Sequence, residues 1–182
     1  QSTLGGARVM ILEKALDVLD GASKGNSAIL HTGFDALPGS LEQKCLARGY
    51  AEYHKVALKL GLPILKSGAM VLAWNEEQLA QLPALIKKAH KNGVYDVAML
   101  SRDEILAREP HLSKSVLGGF EVPREFLIDP WASAHAYLLQ ALANGAVIYR
   151  DTEVVSGQYD GSQWRLKTNA GSVCAAQVIN CA

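Results

Sequence analysis

The spacing of apolar residues changes at Gly145, and this change limits the fold more than any single motif does. Before Gly145, apolar residues recur at three- and four-residue intervals behind polar helix starts. Beyond it, "AVIYR", "TEVVSGQY", "QWRLKT" and "SVCAAQVINCA" read as strands, with turns at Asp160-Gly161 and Ala170-Gly171. The tail is therefore expected to be a β-meander followed by an apolar strand. A chain that carries both periods is mixed, α/β or α+β.

The helix starts are local and specific. Ser40 with Gln43 has capping-box spacing, and Leu41, Cys45, Tyr53, Val56 and Leu60 follow at helical intervals until Gly61 and Pro63. "AMVLAW" reads as a strand. Asn75 with Gln78 then opens a second helix, with Leu79, Leu82, Leu85 and Ile86 on its apolar face and Asn92-Gly93 at its end. Pro83 is expected to kink or split it. Ser101 with Glu104 starts a third helix that halts before Pro110. In the fourth, Asp129 is expected to cap, Pro130 to take the first helical position, and Leu138, Leu139 and Leu142 to line a face ending at Gly145.

Charge and composition narrow the partners. The 182 residues carry 18 Lys and Arg against 18 Asp and Glu, and 49% are hydrophobic, so no single-sign field marks a nucleic-acid surface. No apolar run approaches the roughly 20 residues of a bilayer span, and "QSTLGGARVMILEK" lacks the order of a signal peptide. The expected setting is cytoplasmic, with no nucleic acid, no integral membrane segment, and peripheral membrane attachment left open. Cys45, Cys174 and Cys181 have neither disulfide nor zinc spacing and are expected to be buried thiols; no metal is expected.

The chemistry concentrates near the start. "RVMIL", residues 8–12, reads as a buried parallel strand, and Glu13 stands at its C-terminal edge. In dinucleotide-binding βαβ units an acid at the end of the second strand accepts hydrogen bonds from the adenosine ribose. A solvated strand-end carboxylate is the plainer alternative. About ten residues on, Gly21, Ala22, Ser23, Gly25, Asn26 and Ser27 form a loop of small residues whose backbone suits close approach to a pyrophosphate or a flavin ring. His31 follows on a Thr-Gly step. The other histidines, His54, His90, His111 and His135, are read as structural or solvated, and Trp74, Trp131 and Trp164 as packing residues.

"RVMILEK…DGASKGNSAILHTGFDALPGS" resembles the second strand and flavin-contacting loop of FAD-dependent oxidoreductases of the D-amino-acid oxidase superfamily. Within it the chain is similar to the branch of FAD-dependent glycerol-3-phosphate dehydrogenases and oxidases together with L-2-hydroxyglutarate oxidases. "GAMVLAWNEEQL", "LSRDEILAREPHLS", "GGFEVPREFLIDPW" and "NGAVIYRDTEV" extend the likeness over nearly the whole chain. The resemblance implies a partial FAD-binding, Rossmann-like domain with an inserted substrate or cap region. On that basis residues 1–40 are expected in the FAD-binding region, 41–145 in the cap, and 146–182 in a meander and strand returning to the FAD-binding domain.

The resemblance also implies roles. Glu13 would hold the adenosine ribose with Lys14 beside it. Ser23, Lys24, Asn26 and Ser27 would line the flavin side, and Val154 or Val155 would make main-chain contacts near the adenine. Ser27 and His31 would face the substrate, where a neutral imidazole can take the proton of a secondary alcohol. The implied activity is hydride transfer from a small hydroxy compound, glycerol 3-phosphate first, to FAD. L-2-hydroxyglutarate oxidation, an amine or amino-acid oxidase on the same fold, and a non-enzymatic binding module remain as alternatives. The electron acceptor is not specified. The GxGxxG strand and the C-terminal strands of such enzymes are absent from the sequence, which reads as a fragment cut at both ends. Thr32, Gly33 and Phe34 after His31 depart from the Ala-Gly with nearby Tyr common in relatives, and this leaves the substrate open.

Overall fold

The computed structural model describes residues 6–181. It has a mixed α/β fold in two compact units, Gln1–Asn26 with Pro130–Ala182, and Ser27–Asp129. The second unit is one continuous stretch between the two segments of the first.

In the first unit, β1 (Met10–Leu12) pairs in parallel with β8 (Val147–Tyr149), Ile11 opposite Ile148. The strand expected over residues 8–12 is thus shorter. It is also less buried: Val9 is 42% and Met10 45% exposed, because this ladder has only two strands among the described residues. A 3-10 turn covers Ala22–Gly25. The meander is present as β9 (Val154–Tyr159), β10 (Trp164–Thr168) and β11 (Gly171–Ala175), antiparallel throughout. The strand expected over "VINCA" is not formed at residues 178–181, and Ile179 is 85% exposed. Ala182 lies outside the described residues.

The fourth helix, α4 (Ala132–Ala143), begins later than expected, with Trp131 at the cap position and no side-chain cap. Asp129 and Pro130 precede its first turn. The Pro130 carbonyl accepts from Asn26 Nδ2 at 3.2 Å and Trp131 Nε1 donates to the Lys24 carbonyl at 3.2 Å, so tertiary bonds hold this segment outside the helix. Leu138 and Leu142 are half-buried and Leu139 is exposed.

The second unit has two three-stranded antiparallel sheets. One orders β2 (Ile29–Leu30), β7 (Phe126–Ile128) and β3 (Ile64–Leu65), with β7 central. Against it lies α1 (Leu41–Leu60), where Tyr50 and His54 pack their rings 6.3 and 6.0 Å from Phe126. Ser40 caps the Gln43 amide, and Gly61, left-handed at φ 66°, ends the helix. The face turned inward is Leu46, Tyr50, Tyr53, Ala57 and Leu60. Leu41 and Cys45, counted on it from spacing, are exposed. All three cysteines are exposed, not buried, and His54 is half-buried rather than solvated.

The other sheet orders β4 (Ala69–Ala73), β6 (Gly118–Val122) and β5 (Ala98–Ser101). α2 (Glu76–Lys91), capped by Asn75, packs on β4 and β6, and α3 (Arg102–Arg108), with a complete Ser101–Glu104 capping box, packs on β5 and β6. α2 runs through Pro83 unbroken, because the proline removes one backbone donor on an exposed position while Leu82 beside it is buried. The main core gathers Ala73, Leu82, Ala89, Val94, Val97, Phe120 and Val122, and a second cluster gathers Leu100, Ile105 and Val116. At Gly119 an added Cβ would collide with the Val71 carbonyl oxygen, so the central strand tolerates no side chain there.

Candidate active site

The loop that carries His31 is fixed from both sides. β2 ends at Leu30, which is buried. Beyond the imidazole, Gly33 turns at φ 82°, and Phe34 meets Phe120 edge-on, ring centroids 6.1 Å apart, at the margin of the main core. Asn92, at the end of α2, donates through Nδ2 to the carbonyls of Gly33 at 2.9 Å, Phe34 at 3.2 Å and Ala36 at 2.8 Å. These bonds explain why a glycine-bearing segment holds one shape.

The partner of His31 comes from far along the chain. Val122-Pro123-Arg124-Glu125 forms a β-turn closed by the Glu125 amide to the Val122 carbonyl at 3.2 Å, with Pro123 supplying the fixed φ. Arg124 anchors the turn through paired bonds to Asp96, 2.7 and 2.8 Å, and lies 6.0 Å over the Tyr50 ring. That bond holds the Asp96 carboxyl below the usual carboxylate range.

Glu125 then points inward, its side chain only 3% exposed. A carboxylate buried this deeply needs several donors. It has them: Thr32 donates to Oε1 through both its amide and its hydroxyl at 2.6 Å each, and His31 Nδ1 lies 3.0 Å from Oε2. His31 is itself 38% exposed, so the imidazole bridges a buried charge and an open surface. A groove of about 250 Å³ opens there, lined by Ile29, Leu30, His31, Cys45, Tyr50 and Tyr53. Burial pushes the Tyr50 phenol upward, offset in part by the nearby Arg124 guanidinium. With Nδ1 turned to a carboxylate, Nε2 is the nitrogen left to exchange a proton with a ligand.

Ser27, paired with His31 by the sequence reading, is exposed four residues earlier, before Ala28, which takes the left-handed φ of 59° and accepts from the Ile128 amide at 2.8 Å. A non-glycine residue in that conformation stores about 1 kcal/mol of strain.

The remaining candidates belong to the first unit. Glu13 follows β1; its amide donates to the Tyr149 carbonyl and its carbonyl accepts from Thr152, both at 2.9 Å. Its Oε1 accepts from the Ala15 amide at 2.8 Å, and no hydrogen bond occupies Oε2 among the described residues. Lys14 next to it is exposed. Ser23 and Lys24 lie in the exposed 3-10 turn, with Lys24 Nζ 3.5 Å from Asp20, and Asn26 Nδ2 closes the turn on the Ser23 carbonyl at 2.7 Å. Added Cβ atoms at Gly21 and Gly25 meet nothing within 4 Å among the described residues, so space adjoins this backbone. Val154 and Val155 open β9, both exposed. A carboxylate oxygen placed to accept from a diol, beside a turn of exposed small residues, is an arrangement that fits a dinucleotide.

The structure brings together His31, Thr32 and Glu125, of which the sequence reading held only His31. Glu125 was missed because nothing local ties residue 125 to residue 31; the only signal was an acid between two apolar strands in "GGFEVPREFLID".

The family described as "DAO: FAD dependent oxidoreductase" matches residues 2–182. The chain belongs to this family. Among curated proteins it is 32% identical to the glycerol 3-phosphate dehydrogenase of Caloramator mitchellensis over 96% of this chain and 36% of that protein. It is 26% identical to the L-2-hydroxyglutarate dehydrogenase of Indibacter alkaliphilus over 96% of this chain and 43% of the relative. Of solved structures, dithionite-reduced L-alpha-glycerophosphate oxidase from Mycoplasma pneumoniae with FAD bound superimposes with a TM-score of 0.82 at 28% identity, covering 88% of this chain and 43% of that one. The chain thus spans less than half the length of these relatives. No helix of the described residues is long and apolar enough to cross a membrane.

Proposed function

We propose that the protein is an FAD-dependent dehydrogenase or oxidase of a small hydroxy compound, with glycerol 3-phosphate as the leading substrate. The reading is carried by one observation: an accessible imidazole whose inner nitrogen is backed by a buried, fully bonded carboxylate, on the framework of this family. Bound FAD supplies the two-electron acceptor for the hydride that leaves the carbinol carbon. His31 takes the hydroxyl proton at Nε2 as the carbonyl forms, the task of a general base within reach of the proton it removes. Ser27 orients the hydroxyl. In the first unit, Glu13, with Lys14 beside it, receives the ribose hydroxyls. Ser23, Lys24, Asn26 and Ser27 line the flavin, and Val154 and Val155 offer main-chain groups to the adenine. The relative with 32% identity supports glycerol 3-phosphate, and the one with 26% makes L-2-hydroxyglutarate the second reading.

The test is anaerobic mixing of the full-length, flavin-loaded protein with each compound, following loss of the oxidised flavin absorbance. Glycerol 3-phosphate is expected to bleach the flavin, and His31→Asn to slow bleaching by about 10²–10⁴-fold. Bleaching by the hydroxy acid but not the phosphate ester would reverse the order of substrates. An unchanged rate in the His31 variant would remove the base and favour amine oxidation, which needs no alcohol deprotonation.

A further inference from the structure

We infer that Glu125 is a positioning residue that fixes the tautomer and the direction of the His31 ring, with Thr32 fixing Glu125 in turn. This rests on His31 acting as the base. The carboxylate accepts on both oxygens and donates nothing: Oε1 takes the two Thr32 donors at 2.6 Å and Oε2 faces Nδ1 at 3.0 Å. An acceptor opposite Nδ1 places the proton there and leaves the Nε2 lone pair free. Cys45, Tyr50 and Tyr53 of α1 are the other polar groups lining the same groove, and Glu125 is the sole carboxylate bonded to the ring among the described residues.

The arrangement makes the acid-to-amide exchange unusually informative. In Glu125→Gln the two Thr32 donors still require an acceptor at the Oε1 position, so the amide oxygen settles there. The amide nitrogen then faces Nδ1. Its N–H donates to Nδ1, which becomes the acceptor, and the ring proton moves to Nε2, the nitrogen that should be empty. Shape and volume hardly change, yet the base points a proton at the substrate. The equivalent exchange in a serine-protease triad lowers turnover by about 10⁴-fold while keeping the geometry.

The experiment is nitrogen-15 NMR of the histidine side chains in the full-length, flavin-loaded protein at alkaline pH, where the ring is neutral, with His31→Asn assigning the signal. Wild type is expected to carry the proton on Nδ1, and Glu125→Gln to carry it on Nε2. Flavin bleaching by substrate is expected to slow about 10²–10⁴-fold in Glu125→Gln, with substrate binding unchanged and the alkaline plateau of the pH profile lost. Thr32→Val is the second variant; it removes the hydroxyl donor to Oε1 while the backbone amide keeps its bond, and is expected to slow bleaching less than Glu125→Gln with the proton still on Nδ1. An Nε2–H tautomer in wild type overturns the inference whether or not any variant folds. A Glu125→Gln protein that bleaches at the wild-type rate overturns it too. If instead His31→Asn is harmless, the proposed base fails, and the tautomer measurement still reports on Glu125 separately.

Discussion

At the scale of single residues, the candidate site depends on one amide remote in sequence. Asn92 is 7% exposed and its Nδ2 serves three carbonyls of the loop after His31, at Gly33, Phe34 and Ala36. Removing a donor from buried carbonyls leaves them desolvated and unpaired, which costs more than the bond itself contributed. Asn92→Ala is therefore expected to lower stability by about 2–3 kcal/mol, read from the midpoint of urea unfolding. A loss below about 0.5 kcal/mol would mean that the loop is held by Phe34 against Phe120 alone. Gly33 adds a steric constraint at the same place: at φ 82°, with Leu46 Cβ 3.2 Å from where its own Cβ would be, only glycine fits without strain. The sequence showed a glycine after a histidine; it held no sign that an asparagine at a helix end would brace it.

At the scale of elements, the turn between β6 and β7 delivers Glu125, and its anchor is the Arg124–Asp96 pair. The Asp96 carboxyl is held down in the fold chiefly by the hydrogen bond from Arg124, against the opposing pull of burial. A group with a depressed folded pKa adds stability above its unfolded value, about 3.9, and that contribution disappears as pH falls through the lower, folded value. Both side chains are about two-fifths exposed, so solvent screening limits the pair to about 0.5–1 kcal/mol. Asp96→Asn should lose about that much at neutral pH and converge with wild type in acid. Parallel stability curves from neutral to acid pH would remove the pair from any role in the turn.

Elements also show why some of the chain was legible and some was not. α3 and its capping box lie within a few residues of each other, and so do Ser40 with Gln43 and Asn75 with Gln78, which makes these starts readable. The start of α4 was misplaced because Asn26 and Lys24, more than a hundred residues earlier, bind Pro130 and Trp131. β2, β3 and β7 have two or three residues each, too short for a period, and they exist through pairing alone. Glu125 is hidden for the same reason as α4: its partner is distant in sequence.

At the scale of the whole molecule, the insert Ser27–Asp129 is closed on itself. Its two ends are side by side, since the Ile128 amide donates to the Ala28 carbonyl at 2.8 Å and Ile29 stands opposite Leu127 in the ladder. Both buried hydrophobic clusters, from Ala73 through Val122, lie within it. In the other unit Leu166 is the one buried hydrophobic side chain among the described residues. A segment with its own core, adjacent ends and the size of an ordinary domain has what independent folding requires. Ser27–Asp129 produced alone is accordingly expected to unfold in a single cooperative transition, followed by circular dichroism, and to give dispersed amide NMR signals. The Asn92→Ala variant of this segment should then melt about 9–14 °C lower, as a loss of about 2–3 kcal/mol implies for a domain of this size. A gradual, non-cooperative melt of the wild-type segment would show that its two clusters do not suffice, and that its order depends on residues outside Ser27–Asp129.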